Sequence, residues 1–389
     1  MSCDPMQVMV SLKDRAGTLL DELMMTRENS LYAIEAAIKV NDVGAFVMTL
    51  PPTYNPAYLQ RDNRVEIRYS MEGERAQLFG ERYFLIRSVE WQQDTGGAIE
   101  VRGVCLNDLL TRRIIAAYSG STFSKKSGAA DDVMKALVRE NCTAAAHDYN
   151  GAAAIRAFDN FAVQADTGLG APIDKTYAHS RLLEKLAETA SASALAGTFI
   201  AFDVVYVEST GVREFRTYAG KRGVDRRHPS GTNPVVLSAK RGNLGGIRDK
   251  MDYSNAFDFV YCGGQGEEDN RVIKTSPSPA PAWLTADARV ERFIDARQSS
   301  DPLQVQTEAD ARLQEGRATR TVTANIIEAP GTRFGRDFGF GDVVTVESRG
   351  EQFDARVDAV KLSVKGGRYD ISCALRAERT LDGWDSWTV

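Results

Sequence analysis

Gly80-Glu81-Arg82-Tyr83, a strand-like run through Val89, and then Gly96-Gly97-Ala98-Ile99-Glu100-Val101 are written a second time near the other end of the chain. The second copy reads Gly350-Glu351-Gln352-Phe353, a run through Val360, and Gly366-Gly367-Arg368-Tyr369-Asp370-Ile371. The interval from Gly-Glu to Gly-Gly is the same in both, 80 to 96 and 350 to 366. A short β-prone segment precedes each copy, Arg64-Val65-Glu66-Ile67 and Val343-Val344-Thr345-Val346. β-branched and aromatic runs bounded by glycine turns read as strands, and self-similar spacing reads as a repeated unit. The repeat predicts a mainly β fold with two related β-barrel units and an α+β insertion between them. Tyr83 with Phe353, Ile99 with Tyr369 and Val101 with Ile371 are expected to fill corresponding core positions.

The rest of the chain suits that frame. Its 389 residues are 43% hydrophobic, enough for two to four domains with their own cores. A net charge of -5 from 48 basic and 53 acidic residues, spread along the sequence, gives no basic tail for nucleic acid. Cys3, Cys105, Cys142, Cys262 and Cys373 show no CxxC spacing and read as unpaired thiols. The start lacks the charged and apolar regions of an export signal, and no apolar run reaches the roughly 18 residues of a membrane helix.

Four segments are expected: a first barrel over 1–115, a central α+β domain over 116–275, a linker and helix over 276–320, and a second barrel with its tail over 321–389. In the first, Leu31-Tyr32-Ala33-Ile34, Ala45-Phe46-Val47-Met48 and Tyr83-Phe84-Leu85-Ile86 supply strands. In the second, Val133, Ala136 and Leu137 predict a helix over 129–139 with Ser127 as N-cap. Leu182, Leu183, Leu186, Ala187 and Ala190 make the apolar face of a longer helix from Ser180. Ile200, Phe202, Val204 and Tyr206 alternate along one face of a strand over 198–208, and further strands are expected at Val235-Val236-Leu237 and over Ala256–Tyr261. Ser276-Pro277-Ser278-Pro279-Ala280-Pro281 marks an exposed loop, and Pro302–Gly316 a helix packed through Ala309 and Leu313.

Little in the sequence points to bond-making chemistry. His147, His179 and His228 lack metal-ligand spacing, and Ser119-Gly120-Ser121 is not a nucleophile elbow. Cys262-Gly263-Gly264-Gln265-Gly266 completes neither a P-loop nor a dinucleotide fingerprint and reads as a turn. Glu81 and Glu351 recur at equivalent positions, as a glycosidase pair could, but a barrel surface or an intersubunit contact explains the recurrence equally simply. No catalytic, cofactor-binding or metal-binding residue is assigned, and no cofactor is expected. Trp384, Trp387 and Val389 suit either a docking tail or a segment folded back on the second barrel.

In the order of its parts, the sequence resembles bacteriophage tail-tip or baseplate hub proteins, and more narrowly the siphovirus ReqiPepy6 Gp37-like family. The resemblance rests on the paired motifs, on Ser180-Arg181-Leu182-Leu183-Glu184-Lys185-Leu186, on Ser238-Ala239-Lys240-Arg241-Gly242-Asn243 and on Asp252-Tyr253-Ser254-Asn255. It implies a structural, non-enzymatic homotrimer at the distal end of the tail of a virion, produced in the host cytoplasm. Two hub domains per chain would give six related units facing a sixfold tail tube or distal tail protein ring. The opposite, threefold side would carry a central spike, fibre or tip protein, and the channel would pass phage DNA without reading its sequence. Acidic residues facing that channel would keep DNA from adhering. The copies differ in detail: Phe84 and Leu85 fall near Asp354 and Ala355, and Met71–Phe79 lengthens the first. No amidase, peptidase or lysozyme pattern is read after Leu381, so wall-degrading activity is expected from a partner. Two alternatives stay open: a carbohydrate-active tail component and a host-surface-binding module.

Overall fold

The structure, a computed structural model, describes residues 7–23, 31–70, 76–92, 97–116, 123–146, 156–177, 179–282, 284–297, 300–317, 319–366 and 368–377. Trp384, Trp387, Val389, His147, Ser119-Gly120-Ser121, Gly96 and Gly367 lie outside these residues.

The first part supplies β1 (Gln7–Lys13), β2 (Leu19–Leu23), β3 (Ala33–Lys39), β4 (Ala45–Leu50), β5 (Arg64–Ser70), β6 (Gln77–Leu78), β7 (Phe84–Trp91) and β8 (Ile99–Cys105). Alternation sorts their side chains: Ile34, Ala36 and Ile38 of β3 are buried while Glu35 and Lys39 are exposed. The antiparallel order is β3-β4-β8-β7-β5, with β1 and β2 beyond β5.

The middle contains α1 (Asp108–Thr111), β9 (Ser124–Ala129), α2 (Ala130–Cys142), β10 (Phe161–Val163), β11 (Pro172–Tyr177), α3 (Leu182–Leu195), β12 (Ile200–Val207) and β13 (Val212–Ala219). Leu182, Leu186 and Ala190 of α3 pack with Val133, Leu137 and Val138 of α2 and with the Ile200, Phe202 and Val204 face of β12. The expected N-cap is corrected: Ser127 lies within β9 opposite Asp174, and the helix starts at Ala130 without a side-chain cap. The Ala130 and Asp131 amides donate instead to the Ala171 and Leu169 carbonyls, so a neighbouring chain segment satisfies the first turn.

The last part holds β14 (Asp225–Arg226), β15 (Val236–Ser238), β16 (Leu244–Asp252), β17 (Phe259–Gly263), β18 (Ile273–Ser276), β19 (Glu291–Asp295), α4 (Pro302–Glu315), β20 (Thr319–Ile326), β21 (Val343–Ser348), β22 (Glu351–Lys365) and β23 (Arg368–Ala377). The strand expected over Ala256–Tyr261 begins only at Phe259. Strands β18-β17-β19 form a separate small sheet covered by α4 through Val305 and Ala309. Five of the remaining strands run β16-β20-β23-β22-β21, again antiparallel, and β14 and β15 pair with β21 in parallel.

The repeat is therefore a five-stranded unit. In each half the first and second strands pair, and the second then pairs with the fifth, the fifth with the fourth and the fourth with the third. Strands β3, β4, β5, β7, β8 correspond in that order to β16, β20, β21, β22, β23. Each fourth strand carries an irregularity, at Arg87 between Ile86 and Ser88 and at Asp358 between Val357 and Ala359. Aligning the two bulges places Val89, Glu90 and Trp91 on Val360, Lys361 and Leu362, and Ile99 and Val101 on Ile371 and Cys373. The expected pairing of Ile99 with Tyr369 and Val101 with Ile371 is thus out of register by two, and that of Tyr83 with Phe353 by one. Equal spacing in sequence conceals unequal turns: residues 92–98 connect the first hairpin and only 366–367 the second.

Two separate barrels are not what these pairings draw. β22 pairs along its first half with β21 and, past the bulge, with β3, so both units belong to one sheet. Among the described residues this sheet is an open order ending at β2 and β16. Its strands also cross the expected divisions at 275 and 320, since β14 and β15 pair with β21 and β16 pairs with β20.

Candidate assembly surface

The sheet's two faces differ in chemistry. One buries Ile34, Ile38, Phe46, Val101, Val360 and Ile371 in a single core shared by both units. The other, continuous from β20 to β8, carries Asn325, Ser372, Lys361, Ala37, Ala45 and Arg102 on successive strands. Its charges are of both signs and partly cancel within the surface, as in Lys361–Glu35 at 2.7 Å and Arg102–Glu100 at 2.5 Å.

The middle part is fastened to the first unit through β12. Asn41, held at a positive φ of 57°, donates through Nδ2 to the Ile200 carbonyl at 2.9 Å and accepts from the Phe202 amide at 2.7 Å. Asn107 bridges from the Asp42 carbonyl at 2.9 Å to the Val204 amide at 2.8 Å. These amides act in place of a neighbouring strand on the open edge of β12, whose other edge pairs with β13. Beside them Arg82 and Asp203, both buried, form an ion pair that Arg222 joins from 2.8 Å. Proximity to Asp203 raises the Arg222 pKa, against the opposing effect of burial. Neither Asp203 nor the two asparagines drew notice in the sequence; a lone acid inside the apolar run Ile200-Ala201-Phe202-Asp203-Val204-Val205 is the signal that marks such a partner.

The residues weighed for chemistry have structural partners. Glu81, at a positive φ of 58°, bonds Arg222 at 2.7 Å, whereas Glu351 opens β22, so the recurrence does not give equivalent sites. The Gly263 and Gly264 carbonyls accept from Arg271, each at 3.1 Å, which closes the glycine turn on a guanidinium. The His228 amide donates to Thr345 Oγ1 at 2.9 Å. Burial pushes the Cys142 thiol up to about 12, in keeping with an inert core thiol. Among the described residues no group of His, Cys, Asp and Glu is arranged to hold a metal ion, and no helix is long and apolar enough to cross a membrane.

Several strand edges are open among the described residues, β2 at the far end of the sheet among them, and two of these belong to the repeated units. β16 pairs only with β20, and β7 beyond Ile86 pairs only with β8. By the alignment above they are the first strand of the second unit and the end of the fourth strand of the first, the counterparts of the strands joined as β3 and β22.

Residues 25–373 match the siphovirus ReqiPepy6 Gp37-like protein family. The chain belongs to that family. Solved structures agree on the fold: the tail protein of Neisseria meningitidis MC58 aligns with a TM-score of 0.55 at 14% identity, over 95% of this chain and 96% of that one. The 43 kDa tail protein of prophage MuSo2 from Shewanella oneidensis gives 0.58 at 11% identity, over 95% and 98%. A chain of the Francisella PdpA-VgrG complex in its lidded form gives 0.51 at 8% identity, over 97% of this chain and 54% of that chain. No curated protein matches. This Gp37-like chain is a phage-tail type of structural protein, with the mainly β fold expected of it.

Proposed function

We propose that this Gp37-like protein is a tail hub that closes or extends the distal tail tube as a homotrimer in the virion. The observation carrying the reading is the five-stranded unit, present twice with one strand order and built into one sheet. Two units per chain give six in a trimer, which meets a sixfold tube ring on one side. The unlike insertions, the α2/α3 part and the small β17–β19 sheet with α4, leave the other side threefold for a spike, fibre or tip protein.

In the proposed ring the solvated sheet face lines the channel for DNA. Acidic residues on this face would discourage DNA from adhering, and here they stand mixed with bases, Lys39, Lys361 and Arg376 among Glu35, Glu100 and Asp370. Interspersed signs and short side chains offer a sliding polyanion no continuous basic track. The role is structural rather than catalytic. Native mass spectrometry of the purified chain, followed by imaging of the particle, tests the reading: trimers with six related units are expected. A stable monomer or dimer that cannot form such a ring would overturn it.

A further inference from the structure

We infer that the open edge of β7 in one copy of this chain pairs antiparallel with the open edge of β16 in the next, repeating between chains the joint that β22 and β3 make within one. The partner is a second copy because the chain contains the template: the same two strand positions, fourth and first, already meet at β22 and β3. Copying that register sets Val89 opposite Met251, Glu90 opposite Lys250 and Trp91 opposite Asp249.

Three observations support the transfer. Trp91 stands opposite the buried Ile99 and so lies on the core side of the sheet, yet it is 52% exposed, whereas its counterpart Leu362, covered by β3, is 2% exposed. An indole at this place lacks the neighbouring strand that its counterpart has, and the inferred register sets its N–H donor beside the Asp249 carboxylate. Second, Glu90 lies opposite Glu100 within its hairpin, a like-charge pair, and among the described residues it forms no ion pair. Among the described residues Arg248 likewise forms none, and Lys250 pairs with Asp252, two residues along its own strand.

Third, the charges are inverted between the two joints. Lys361 of β22 bridges Glu35 of β3 at 2.7 Å. In the copied joint the corresponding residues are Glu90 on β7 and Arg248 on β16. The inversion carries specificity as well as attraction: β7 meeting another copy's β3 would set Glu90 against Glu35, and β16 meeting β22 would set Arg248 against Lys361. Within one chain β22 and β3 already fill each other's edges, so β7 and β16 are left to each other, and this heterologous contact forms a ring where the rotation from chain to chain closes. The count of three rests on the hub reading above; the choice of edges does not.

The test compares wild type, Glu90→Arg, Arg248→Glu and the double variant by mass photometry across a concentration series, with circular dichroism confirming that these surface changes leave the fold intact. Each single reversal is expected to weaken association about tenfold per joint, and the double variant to recover part of it, since Lys250 still lies opposite position 90. A second variant, Glu90→Cys with Lys250→Cys, is expected to form chain-to-chain disulfides on oxidation, since opposed strand residues sit about 5 Å apart between Cα atoms. A trimer that assembles equally well with either single reversal and forms no such disulfide overturns this joint and leaves the hub reading standing. A chain that stays monomeric overturns the hub reading too.

Discussion

At the scale of residues the two units trade volume. Phe46 sits across from Gly103 in the first unit, and the corresponding pair in the second is Val322 and Leu375. A Cβ on Gly103 would lie 2.2 Å from the Leu85 carbonyl oxygen and 2.3 Å from Phe46 Cε1, so the glycine is what admits the ring. Gly103→Ala is expected to lower stability by about 1–3 kcal/mol through overpacking. Denaturant unfolding checks this, and an unchanged midpoint would refute it. Lys135 makes a second residue-scale case: buried on α2, its ammonium donates to Asp131 at 2.9 Å, the Ala165 carbonyl at 2.8 Å and Thr167 at 3.0 Å. Burial pushes the Asp131 carboxyl up, but hydrogen bonds from Thr167, Lys135 and the Leu169 amide prevail and hold it below its ordinary value. A carboxylate lowered on folding stabilises the fold above its unfolded pKa, and that contribution is lost as pH falls through the folded value. Lys135→Met should therefore cost about 3–5 kcal/mol near neutrality, by leaving a buried charge without its cation. It should also flatten the acid limb of a stability-against-pH curve; an unaltered limb would contradict the assignment.

At the scale of elements, strands and helices were legible because residue preference, alternation and helical spacing are local: β4, β12, α3 and α4 lie where these put them, while the strand expected at Leu31–Ile34 begins only at Ala33 and runs to Lys39. Pairing partners were not. The register of the two hairpins depends on turn length and on one extra residue in each fourth strand, neither of which alters the spacing of the glycines. The joint between β22 and β3 brings Leu362 against Ala36, a contact between the ends of the chain that no local pattern encodes. The attachment of β12 was hidden for the same reason, because Asn41 and Asn107 act on a strand far along the sequence. Asn41→Gly keeps the left-handed backbone available while deleting both side-chain bonds. Hydrogen exchange should then accelerate at the Phe202 amide, with a stability loss of about 1–3 kcal/mol from the groups left unpaired. Protection of Phe202 equal to wild type would show that the asparagine does not fasten this strand.

At the scale of the whole molecule, the repeat was readable as a repeat, while its meaning lay in topology. Two units in one chain, with one joint made and one edge of each unit open, form a part whose sheet the proposed joint would continue into other copies. The candidate assembly surface was not legible, because an edge strand looks in sequence like any other strand. The separate β17–β19 sheet with α4 has its own small core, set between β16 and β20 in the chain order, and in the proposed hub it would distinguish the threefold side from the sixfold one. The central claim is that copies of this chain join edge to edge into a ring of six units. A reconstruction of the assembled complex at side-chain resolution tests it most directly. The account predicts three chains with β7 of each antiparallel to β16 of the next, and Glu90 facing Lys250 and Arg248. A ring in which both edges stay open to solvent, or an assembly of two chains, would contradict it.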